Sequence, residues 1–159
     1  MARLAAAFNG GLIAGGVCLL PFIYGLWRAL GSPLGWLAAA AGAFTALSAA
    51  AVGLFPMNDL KTHLSAAMAY FRGGLATVLL FSAAILAQPG GQPTIPRAAA
   101  VAGLLAALTY AAVLFNLGKT TRADALAEVS LAAEFRGGRR RVWPTALLWW
   151  LVFTATMAW

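Results

Sequence analysis

Apolar residues run along this chain in five long stretches. Short segments between them hold most of the charged residues and prolines. A bilayer core about 30 Å thick needs roughly 17–25 predominantly apolar residues of helix. The stretches at about 5–28, 34–55, 65–88, 98–118 and 142–159 meet that length. The first connection, Leu30-Gly31-Ser32-Pro33, is short enough to make an antiparallel hairpin of the first two spans. The third, Gln88 to Arg97, is rich in proline and glycine and reads as an exposed connector, with Pro96 suited to the first turn of the fourth span.

The fourth connection, Lys119 to Arg141, is long enough for structure of its own. Thr121 and Asp124 have capping-box spacing, with Asp in place of the usual Glu, and Gly137-Gly138 is a stop signal. Leu126, Val129 and Ala133 fall on one face, while Arg122, Asp124, Glu128 and Glu134 supply polar positions. The pattern predicts an interfacial helix over about 122–136. The expected fold is an all-α polytopic membrane bundle: five transmembrane helices plus one short cytoplasmic interfacial helix, in a single unit over 1–159.

Small residues recur four apart. Gly11 and Gly15, and Ala14 and Cys18, do so in the first span; Ala38, Gly42, Ala46 and Ala50 do so in the second. Such spacing lets helix backbones approach closely in lipid. These stripes predict a compact bundle, with Cys18 a small packing residue and self-association through the Gly11 face an alternative. Trp27, Trp36, Trp143 and Trp159 fall where interfacial anchors belong, and Trp149 and Trp150 lie deeper.

Composition agrees with membrane spans: the chain is 62% hydrophobic and only 9% charged, against roughly 25% charged in a soluble domain. The net charge of +7 would suggest nucleic acid in a soluble protein. Here the basic residues sit in connections, so nucleic acid is not expected. Arg3, Lys61, Lys119, Arg122, Arg136, Arg139, Arg140 and Arg141 fall on one side, and Arg28 and Arg97 on the other. The positive-inside rule then places the amino terminus in the cytoplasm and the carboxyl terminus outside, in a multi-pass protein of the cell inner (plasma) membrane. Arg136, Arg139, Arg140 and Arg141 would meet anionic headgroups. The amino-terminal apolar run exceeds the 7–15 residues of a secretory signal and has no clear cleavage site, so it reads as a retained helix.

Candidate chemistry gathers after the second span. Pro56 ends that span, Asn58 or Asp59 can cap the third, and Asp59 and His63 are four apart. On a helix that spacing puts both on one face, and a carboxylate beside an imidazole can make a general acid or base. The competing reading is a cap plus an interfacial histidine. Arg72, nine residues beyond His63, is an intramembrane arginine unless it snorkels to the headgroups. Asn9 and Asn116 fall near the inner ends of their spans. Asn9, Asp59, His63, Arg72 and Asn116 are therefore candidate lining of one cytoplasm-facing pocket, with an acidic residue of the fourth connection or a lipid phosphate as partner of Arg72.

Phe71-Arg72-Gly73-Gly74 recurs as Phe135-Arg136-Gly137-Gly138, and Leu54-Phe55 as Leu114-Phe115. An internal repeat would make 59–71 an interfacial helix broken at Gly73-Gly74; a continuous third helix is preferred. With one His and one Cys in the chain, a three-His or Cys-rich zinc centre and bis-histidine haem within one chain are excluded. There is no Walker motif, no nucleophile elbow and no mid-span Lys for a Schiff base. No metal and no cofactor is expected.

Gly53-x-Phe55-Pro56, then His63, Ala66-Ala67 and Phe71, resembles the bacterial membrane family called domain of unknown function 998. The tail, with Arg141, Trp143 and Trp149-Trp150, is similar to that family's closing basic residue and Trp-bearing last helix. The family is distantly like the damage-regulated autophagy modulator group. The resemblance implies a multi-span bundle and no established reaction, with lipid organisation or membrane regulation suggested by the eukaryotic relatives. The leading expectation is a non-enzymatic membrane protein that binds lipid, another membrane protein or itself. The alternatives are a lipid-modifying enzyme using Asp59 and His63, and a proton-coupled transporter subunit using Asp59, His63 and Arg72.

Overall fold

A computed structural model of the chain describes residues 2–55, 59–90, 93–125 and 151–152. Four helices and the short connections beside them make up the described residues apart from the last pair: α1 (Ala2–Leu30), α2 (Pro33–Leu54), α3 (Leu60–Leu86) and α4 (Arg97–Ala125). Each contains a segment long and apolar enough to cross a membrane. Helices adjacent in sequence pack on one another, α1 on α2, α2 on α3 and α3 on α4, whereas α1 and α4 do not pack extensively. Short connections make these neighbours antiparallel. The start of α1, the end of α2, the start of α3 and the distal end of α4 therefore share one side.

Local chemistry sets the boundaries. Gly31 adopts φ +55°, the left-handed conformation that closes a helix and that glycine takes without Cβ strain. Its N–H meets the Trp27 carbonyl at 3.0 Å. Ser32 then caps α2, its hydroxyl accepting from the Gly35 N–H at 3.0 Å, and Pro33 opens the first turn. Trp27 and Trp36 pack against each other across this hairpin with centroids 4.2 Å apart and ring planes inclined by 56°. Between α3 and α4, Gln88 holds the connector: its amide donates to the Ile95 carbonyl at 3.1 Å and accepts from the Ile95 N–H at 3.2 Å.

Glycines set how closely the helices approach. A Cβ at Gly16 of α1 would lie 2.6 Å from the Ala46 carbonyl of α2, and one at Gly53 would lie 2.5 Å from the Asn9 carbonyl. On α3, Gly73 faces Thr45 and Phe44 of α2, whereas Gly74 faces the Tyr110 ring of α4. Consecutive residues are about 100° apart on a helix, so this pair seats α3 between two neighbours. The Thr45 and Thr77 hydroxyls meet at 3.0 Å across α2 and α3, buried from solvent and lipid. Phe71, Val78, Ala107, Tyr110 and Val113 form the core between α3 and α4, and Val152 is buried among them.

Several expectations need correction. The small-residue stripe of the second span is confirmed as a seam, with Ala38, Gly42 and Ala46 buried. That of the first span is not: Gly11, Ala14, Gly15 and Cys18 face outward, and Gly16 makes the contact instead. The third helix is continuous from Leu60, with Asp59 as its cap, as the sequence suggested; Gly73-Gly74 packs without breaking it. Leu54-Phe55 ends α2 while Leu114-Phe115 lies within α4, so the two halves of that sequence match are structurally unlike. The helix expected to start after Thr121 does not do so: α4 continues to Ala125, since no proline stops it and Gly118 lies within the helix at modest cost. The remainder of the expected interfacial helix, Gly137-Gly138, Trp143, Trp149 and Trp150 lie outside the described residues. Of the fifth span, Leu151 and Val152 are described, and both are helical.

Candidate functional site

The turn between α2 and α3 holds the residues best suited to chemistry. α2 ends at Phe55, whose N–H bonds the Ala51 carbonyl at 2.9 Å. Asp59 sits just outside α3 as its N-cap and its carboxylate accepts from the Thr62 N–H at 3.2 Å. Bonds from Thr62, side chain first and backbone second, hold this exposed carboxyl below the ordinary carboxylate value of 3.8, because they favour the charged form.

His63 occupies the first turn of α3 and faces inward, at 9% exposure. Its Nδ1 lies 2.7 Å from the Phe55 carbonyl oxygen. A carbonyl only accepts, so Nδ1 carries the hydrogen and donates. This bond ties the end of α2 to the first turn of α3. Asp59 and His63 are thus on different partners. The spacing of four fails to pair them because a cap residue has left helical geometry (φ −106°, ψ 77°), so the helical-face rule does not apply to it.

The other candidates are dispersed. His63 and Arg72 are nine positions apart, or about half a revolution at 3.6 residues per turn. His63 is buried while Arg72 is exposed, without an ion-pair partner among the described residues. Asn9 is half-buried at the α1–α2 seam, where its backbone carbonyl closes on Gly53. Asn116 is exposed and donates to its own helix at the Ala112 carbonyl, 2.9 Å away. The structure does not bring His63 and Arg72 together, and no group of three metal-ligating residues occurs among the described residues. The side chains of Arg122 and Asp124, and the whole of Glu128, Glu134, Arg136, Arg139, Arg140 and Arg141, lie outside the described residues.

Two polar features were missed in sequence. Thr45 and Thr77 were visible as hydroxyls in apolar spans, which in lipid invite interhelical bonding. Gln88 carried no signal beyond its place at a helix end. The Tyr70, Phe71 and Tyr110 rings, with centroids 5.3 to 6.4 Å apart, likewise become a cluster only through the α3–α4 packing.

No curated protein and no solved structure matches the chain. A family model does match, over residues 2–134, a stretch that contains α1 to α4 and both sides of the His63 clasp. The chain therefore belongs to the protein family of unknown function DUF998.

Proposed function

We propose that this chain is a non-enzymatic, multi-pass protein of the cell inner membrane that binds lipid, with its amino terminus cytoplasmic and its carboxyl terminus outside. One observation carries the reading: Asp59 and His63, on which both active alternatives depend, are engaged in holding the α2–α3 turn. An acid–base pair needs the carboxylate on the imidazole. Here each has a backbone partner. In this reading Arg136, Arg139, Arg140 and Arg141 meet headgroups on the cytoplasmic side.

The test is purification of the full chain in mild detergent, followed by mass spectrometry of retained lipid and a lipid-turnover assay in vesicles. Lipid retained equally by the protein and by its His63→Gln variant, without turnover, supports the proposal. Turnover that disappears with Asp59→Asn or His63→Gln would overturn it in favour of an enzyme.

A second reading, an accessory subunit of another membrane protein or of itself, is favoured by the outer face of α1. A Cβ at Gly11 or Gly15 would meet nothing within 4 Å, and Cys18 is exposed on the same helix. Cross-linking in native membranes through Cys18 tests it. A Cys18-dependent adduct supports that reading, and none means that the face meets lipid.

A further inference from the structure

Arg72 has no described partner, yet α3 places it near its own middle. It is twelve positions after Leu60, about 18 Å along the axis at 1.5 Å per residue. An arginine at that depth is costly and ordinarily faces the bundle interior. Arg72 faces outward with no acidic partner among the described residues, and a lipid phosphate is an anion that can reach it there.

A groove begins beside it. Leu75 and Leu79 of α3 and Val101, Leu104, Leu105 and Leu108 of α4, with Ala107 and Ala111, line a cavity of about 420 Å³ that opens to the outside. Arg72, Leu75 and Leu79 lie within about 60° of one another around α3, by the 100° step per residue. The Gly74–Tyr110 contact sets the antiparallel register, which puts Ala111 at the Arg72 end and Val101 at the far end. Between them the groove runs about 15 Å. Among the described residues it is open: Leu105 is 60% exposed and Leu108 67%. Helical side chains tilt toward the helix start, here the side shared with the distal end of α4. The long arginine stem can therefore carry its charge toward the headgroups of that leaflet.

We infer that this groove is a binding site for one anionic phospholipid, its phosphate on the Arg72 guanidinium and one acyl chain along Leu75, Leu79, Leu104, Leu105 and Leu108. The inference rests on the lipid-binding reading above and gives it a location and a lipid class. A charge at the mouth of a wholly apolar channel matches the two ends of such a lipid. An anionic headgroup leaves no net charge uncompensated at the site, whereas a zwitterionic one does.

Native mass spectrometry of the full chain, titrated with phosphatidylglycerol and with phosphatidylcholine of the same acyl chains, tests it. The protein should prefer phosphatidylglycerol. Arg72→Gln should weaken that binding about fivefold, the effect of one basic residue at an anionic headgroup. Ala111→Phe, which fills the groove beside Leu75, should weaken it while leaving Arg72 in place, and Arg97→Gln should change nothing. All three positions face outward, so the variants should fold, and a thermal melt confirms it. Equal binding of the two lipids overturns the anionic site, as does full binding by folded Arg72→Gln or folded Ala111→Phe; in each case the broader lipid reading survives. A protein that binds neither lipid overturns both.

Discussion

At the scale of single residues, the α2–α3 turn depends on two contacts of different kinds. His63 is buried and its ring donates to a backbone carbonyl. His63→Ala removes the donor and leaves the Phe55 carbonyl unsatisfied, and should cost about 1–3 kcal/mol, read as a lower melting temperature in detergent. Asp59 acts through charge. Its carboxyl is held below 3.8 by Thr62, so the folded state binds this proton more weakly than the unfolded state. The stability it contributes is fully present above that ordinary value and is lost as the pH falls through the lower folded value. Between pH 7 and 5 this group should leave the melting temperature unchanged, and below about 4 it should lower it. Asp59→Asn, which keeps an N-cap acceptor, should lack that acid-dependent component. An identical acid profile for the two proteins would remove Asp59 from the account.

At the scale of elements, the close approaches separate glycines that look alike in sequence. Gly53→Ala presses on the Asn9 backbone carbonyl and Gly16→Ala on backbone atoms of Ala46 and Ala50. Neither neighbour can rotate away, so each substitution should cost about 1–3 kcal/mol by overpacking. Gly11→Ala and Gly15→Ala meet open space and should be neutral or stabilising by up to about 1 kcal/mol through helix propensity. Thermal melts of the four variants in one detergent check the order. A destabilised Gly15→Ala would mean that the outer face of α1 is covered in the detergent-solubilised protein.

At the scale of the whole molecule, the four described helices follow one another in a row, and among them α1 packs chiefly on α2 while α3 is held between two neighbours. The basic residues of the α2–α3 turn and of the distal part of α4 come to one side, and Arg28 and Arg97 to the other. The proposed orientation follows from that asymmetry. In a Cys18→Ala background, Gly90→Cys should react with an impermeant maleimide on intact cells, and Lys61→Cys only after permeabilisation. The reverse labelling would turn the molecule over, and labelling of both on intact cells would show that the two connections share a side.

The four described helices were legible in the sequence because span length and capping depend on neighbours along the chain. Twenty apolar residues must cross a bilayer as a helix to satisfy their backbone. Ser32, Pro33, Gly31 and the cap at Asp59 act within three or four positions of themselves. The inward face of each helix was not legible. In lipid an apolar or small side chain is equally at home against a neighbour or against acyl chains, so hydrophobicity does not point to the core as it does in water. Packing alone chose Gly16 over Gly11 and Gly15. It turned His63 inward and Arg72 outward, and gave Gly73 and Gly74 different partners. The spacing of Asp59 and His63 suggested a pair, yet the cap drew the carboxylate to Thr62 and left the imidazole to the end of α2. The groove beside Arg72 exists only because two antiparallel helices meet at one register, set by a tyrosine ring seated on a glycine thirty-six residues earlier in the chain.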